Sequence, residues 1–159
     1  MKISAINEVV SLIANIGVIG SIVFLGLEMQ QNTAMMQSQT RNSIVENQLG
    51  IYELAIENAE LFDIVNRLNS NLDVGRTERG QMDYWAYSLL RLWENEFYQH
   101  QLGLFGSDEF EARTNAWKAA MTSEYNLEHW RRAEEQYDPD FRNYLNKIID
   151  EVYGRQEIS

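Results

Sequence analysis

Among the polar residues of this chain, Glu96 and His100 have a spacing that could support chemistry. They lie four apart in a helical pattern from Glu78 to Leu102, so both side chains leave one face and can meet. Met82, Leu89 and Trp93 centre that face and turn it toward a core. A carboxylate beside an imidazole can serve as a general acid/base couple, or the two can ligate a metal ion. They can also satisfy one another under a helix crossing, because buried charges are seldom left unpaired.

The structural reading is preferred, since nothing else in the sequence completes a reactive set. Position 97 is Phe97, so the Glu-x-x-His unit of a di-iron bundle is missing. His129 directly follows Glu128, which puts those two on different faces. No HExxH, GxSxG, GxxxxGK or CxxC occurs, and with no cysteine there is no thiolate for a zinc knot, an iron-sulfur centre or a nucleophile. The sequence therefore assigns no catalytic residue, no cofactor and no metal ligand, and Glu96 with His100 stays as the one polar pair to test.

Positioning such a pair takes helices, and past residue 27 the pattern is helical with short loops, without period-two alternation. The fold class expected is all-α: an N-terminal transmembrane helix continuing into a stalk, then a small acidic helical bundle. From Glu28 to about Asn58 there is no proline and only Gly50, and apolar positions return at Ile44, Val45, Leu49, Tyr52, Ala55 and Ile56. Leu61, Phe62, Ile64, Val65 and Leu68 supply a short second helix, and SNLDVGR (70–76) is a loop. Thr77 is read as the cap of the next helix, which runs to about Leu102. Gly103 and Gly106 punctuate, and Ser107 with Asp108 and Glu109 opens a fourth helix; with no strand before it, GLFG is not a phosphate cradle. The fourth carries Phe110, Trp117 and Met121, and the fifth Leu127 and Trp130. Asp138 with Pro139 begins the last, whose Phe141, Leu145, Ile148 and Val152 form a buried stripe.

The 159 residues include 13 Lys plus Arg against 24 Asp plus Glu, a net charge of −11. That balance argues against nucleic acid, whose phosphates need clustered basic groups. The acidic surface also repels anionic lipid heads, so the helices past residue 40 are expected to stand off a membrane.

The first segment is different. Val9 to Leu27 is 19 residues without a formal charge, 12 of them Val, Ile, Leu or Phe. As a helix it spans about 28 Å, against about 30 Å of bilayer hydrocarbon. Lys2 alone makes a poor signal-peptide n-region, Glu8 sits beside the apolar run, and no small-x-small site follows Leu27, so the segment reads as an uncleaved anchor. On the helical wheel Asn7, Ala14, Gly17, Ser21 and Glu28 share a small, polar side, the kind of face that packs against another membrane helix. Lys2 and Arg41 balance the positive-inside count, which assigns no membrane side to the helical domain.

Three stretches, LIANIGVIGSIVFLGLEMQQNT (12–33), ENEFYQHQLGL (94–104) and YDPDFRNYLNKIIDEV (137–152), resemble a group of small uncharacterised bacterial proteins, many from marine proteobacteria. Their opening is similar to IANLGVIAGIVFLAYEIRQN. The resemblance implies a bacterial origin, an apolar first helix and a helical remainder, and brings no activity with it. Met29 and Gln30 depart from the family's usual isoleucine and arginine, which removes a positive charge from the end of the segment.

The expectation is thus a non-catalytic, single-pass module of the bacterial inner membrane. Its divisions are an anchor at 1–28, a helical domain at 29–153 and a tail at 154–159. Its partners are lipid and another membrane helix, a copy of itself or a different protein. Two rivals stand: a soluble homo-oligomer that buries the first helix between subunits, and an enzyme or metal protein using Glu96 and His100.

Overall fold

The computed structural model describes residues 2–70 and 72–156 and is all-helical. Its elements are α1 (Lys2–Glu57), α2 (Ala59–Asn69), α3 (Arg76–Gln101), α4 (Ser107–Ala120), α5 (Glu124–Ala133), a 3-10 turn (Glu134–Gln136) and α6 (Pro139–Gln156). Two compact units divide the chain, Met1–Gln39 and Thr40–Ser159. The apolar run ends at Leu27, inside the first unit, so the boundary expected at residue 28 marks a change of polarity and not of compactness. Residues 154–156 of the expected tail belong to α6, and 157–159 lie outside the described residues.

The first unit is helix alone. Ser21 and Thr33 return their hydroxyls to the carbonyls of Gly17 (2.8 Å) and Met29 (3.0 Å), which satisfies both polar groups within the helix. Every large apolar side chain from Ile3 to Leu27 is between 53% and 78% exposed.

The second unit surrounds an aromatic core. Trp93, Phe97, Phe110, Trp117, Trp130 and Phe141 are buried together, joined by Ile44 from the end of α1 and Leu145 from α6. The rings of Trp93 and Trp117 stack at 5.5 Å, and Phe110 meets Trp117 edge-on at 5.4 Å. A smaller cluster of Ile64, Val74 and Met82 seats α2 on α3.

The sequence marks mostly fall where the chain turns. α1 stops at Glu57 and α2 follows Asn58. Gly103, at φ +70°, closes α3 in the left-handed region that only glycine enters without strain. Asp138 Oδ1 accepts from the amides of Asp140 (2.8 Å) and Phe141 (3.4 Å), and Pro139 begins α6.

Three expectations change. α3 begins at Arg76, so Thr77 lies inside its first turn; the N-cap is Gly75, whose amide donates to the carboxylate of Glu78 at 2.5 Å. Arg67 of α2 pairs with the same carboxylate, which holds Glu78 below the usual carboxylate range. Phe62 is exposed, one position off the face that Leu61, Ile64, Val65 and Leu68 turn inward. On α3 the buried residues are Met82, Ala86, Leu90, Leu92, Trp93, Glu96 and Phe97, with Leu89 only half-buried.

Candidate functional site

Glu96 and His100, both on α3, meet different surroundings. Glu96 sits inside the core at 0% exposure, and its carboxylate is saturated by three neighbours. Oε1 accepts from Gln48 Nε2 of α1 (2.7 Å), both oxygens accept from Arg113 Nε of α4 (3.0 and 3.1 Å), and Oε2 accepts from Trp117 Nε1 (3.2 Å). The carboxylate therefore ties three helices together, α1, α3 and α4. A buried carboxylate is tolerated when paired and fully hydrogen-bonded, and both conditions are met.

His100 is held elsewhere. Its Nδ1 lies 3.1 Å from the Phe105 carbonyl, which can only accept, so Nδ1 carries the proton. Its ring stacks on Phe110 at 4.1 Å with an 8° tilt. The pair does not meet: at the end of α3 the loop through Gly103 folds Phe105 back under His100, while Arg113 claims Glu96. The preferred reading, polar groups satisfied beneath a helix crossing, describes each residue, but the partners are not one another. Arg113 carried no sequence signal for this, because a lone arginine on an amphipathic helix ordinarily belongs to its solvent side.

A second cluster went unread in the sequence. Asp83 of α3 gathers donors from α5 on one oxygen: Tyr125 hydroxyl at 3.1 Å, His129 Nδ1 at 3.2 Å, and the Arg132 guanidinium at 3.5 Å. His129 is 2% exposed, with Tyr87 edge-on at 4.5 Å. The acceptor is a carboxylate, so His129 donates from Nδ1, and its Nε2 has no hydrogen-bond partner among the described residues. Burial pushes the imidazole below its ordinary range despite the opposing pull of Asp83, and burial followed by the Asp83 charge pushes the Tyr125 hydroxyl well up. Tyr125 and His129 are four apart on α5, a shared-face spacing that could have revealed them. Reading His129 against its neighbour Glu128 hid it.

An Asp–His pair with a free Nε2 has the outline of a general base, but a base must reach the proton it takes. Here Nε2 lies inside the core and the ring serves to lock α5 onto α3. Tyr125 also borders a polar cleft of about 780 Å³ whose walls include Asp73, Arg79, Ser123 and Glu128. Among the described residues no three His, Asp or Glu side chains are grouped to hold one metal ion.

The helix-packing face expected on the anchor lies on α1. Asn7, Ala14, Gly17, Ser21 and Glu28 are all exposed, and Ala14, Gly17 and Ser21 line a shallow groove of about 430 Å³ with Val18, Ile22 and Leu25. At Gly17 and Gly20 nothing lies within 4 Å of where a Cβ would stand. Comparison with known proteins returned nothing: no family model, curated protein or solved structure matches the chain.

Proposed function

We propose that the protein is a non-catalytic module anchored in a bacterial inner membrane by residues 6–27 of α1 and acting through helix–helix contact. The observation that carries this reading is the uniform exposure of Ile3 to Leu27, 53% or more at every large apolar side chain. A soluble helix hides its apolar stripe in a core; this one leaves its large apolar side chains exposed. Acyl chains remove all of that surface from water, and a helix satisfies its own backbone while crossing. The helix is long and apolar enough to cross, with none of its most apolar window buried. The resemblance of residues 12–33 to bacterial sequences supports the compartment. The saturation of Glu96 and the enclosure of His129 Nε2 support a role without chemistry.

Carbonate extraction of membranes from cells making the full chain tests the anchor. Retention in the pellet is expected, and recovery of the intact chain as a defined oligomer in detergent-free supernatant would replace the anchor with the buried-helix reading. The 12 aliphatic and aromatic residues of the run favour insertion by very roughly 5 kcal/mol, and each central arginine opposes it by about 3. The double change Ile16→Arg, Ile19→Arg should therefore release the chain, and retention of that variant would argue against lipid as the environment.

A further inference from the structure

The part of α1 that belongs to the second unit, residues 40–57, is held to the bundle along one narrow line. Of these 18 residues Ile44 alone is buried, whereas the ten residues of α5 bury four. Ile44 enters the aromatic core with Ile51 packed against it. Arg41 Nε donates to Glu109 Oε1 of α4 at 2.5 Å, but both side chains are open to solvent, where an ion pair stabilises little. Gln48 Nε2 donates to the buried carboxylate of Glu96 at 2.7 Å. A segment with so few buried contacts opens at a smaller free energy than the fold as a whole.

The surroundings permit such an opening. One residue, Asn58, joins α1 to α2, and its backbone at φ −114° and ψ 79° is already outside the helical region, so a change there swings α1 without unwinding either helix. α2 is fixed on its own account: Ile64 is 0% exposed and Arg67 pairs with Glu78 of α3. Glu96 keeps Arg113 and Trp117 when Gln48 leaves, and water replaces the lost donor, so the carboxylate is not stranded. We propose that residues 40–57 are a strap, hinged at Asn58 and latched by Gln48 on Glu96, that lifts from α3 and α4 while α2–α6 stay folded. The bundle thus has two states, closed with Glu96 dry, and open with Glu96 and the seat of Ile44 exposed to solvent. Whatever moves the end of α1 selects between them. This switch is independent of whether the apolar segment enters lipid.

The chain has no cysteine, so a single substitution gives one thiol to follow. Full-length Ile44→Cys, and Ala86→Cys as a control buried on α3 at 4% exposure, are labelled with N-ethylmaleimide in mild detergent without denaturant. Labelling at 44 is expected to be on the order of tenfold or more faster than at 86. Gln48→Ala should speed it by about another tenfold, the worth of a hydrogen bond to a charged acceptor, without changing the rate at 86. Equal rates, no effect of Gln48→Ala at 44, or an equal effect at both positions overturns the strap. Cysteine at 44 loosens the seat it reports on, so hydrogen exchange of the unsubstituted chain supplies a second measurement. Amides of residues 44–54 should exchange on the order of tenfold or more faster than those of 82–97, at a rate that low urea leaves unchanged while the latter rises. Equal protection, or an equal response to urea, overturns the proposal.

Discussion

Replacing Arg113 by methionine keeps most of the side-chain volume and removes the cation that contacts Glu96 at 3.0 Å. The carboxylate, at 0% exposure, is left with two neutral donors, Gln48 Nε2 and Trp117 Nε1. Breaking a buried ion pair from one side costs about 3–5 kcal/mol, because the remaining charge stays desolvated without its partner. For a domain of this size that corresponds to a fall in Tm of roughly 10–20 °C. The four tryptophans, Trp85, Trp93, Trp117 and Trp130, all lie in α3–α5, so their fluorescence follows the bundle without interference from the long α1. The assay is a thermal melt of the full chain in mild detergent. The double variant Glu96→Gln, Arg113→Met removes the charge with its partner, and the amide oxygen still accepts from Gln48 or Trp117. It should lie only about 1–2 kcal/mol below the wild type and melt above Arg113→Met alone. A small change in Arg113→Met, or a double variant destabilised by the sum of the two singles, would refute the claim that Arg113 holds Glu96 in the core.

Two further predictions concern the same domain. Because burial holds His129 below its ordinary pKa of 6.5, the unfolded chain takes up a proton that the folded chain refuses between the depressed value and 6.5. Stability should therefore decline as pH falls below about 6.5, by at most about 1.4 kcal/mol per pH unit, with no contribution from this group above it. His129→Gln should flatten the dependence of Tm between pH 7 and 5.5, and parallel curves would show that the ring's burial does not govern it. Gly103→Ala forces a side chain into the left-handed region at φ +70° and should cost about 1–2 kcal/mol in urea denaturation. Gly50→Ala, in mid-helix with open space around it, should instead stabilise by about 0.5–1 kcal/mol; equal effects at the two positions would contradict the backbone argument.

The extent to which the site was legible follows from where each partner lies along the chain. Glu96 on an apolar helical face was visible locally, and so was the need to satisfy it. Its partners Gln48 and Arg113 lie 48 and 17 residues away, and only helix packing brings them within 3 Å. His100 shared the face in projection, but the wheel was centred on Leu89, where the structure buries Leu90. Which side of α3 is pressed into the core is set by the side chains that the opposing helices accommodate. Asp83 and His129, 46 residues apart, met for the same reason.

Local physics alone determined a good deal. Proline, glycine and capping residues act within a turn or two, so Asn58, Gly103, Asp138 and Pro139 set helix ends that the structure keeps. A run from Val9 to Leu27 without a formal charge determines a long apolar helix, whatever it meets. Tertiary structure decided which of the returning apolar positions of α1 are core. Ile44 goes in, while Val45, Leu49, Tyr52 and Ile56 stay out, because one helix can press only part of its circumference against a single bundle.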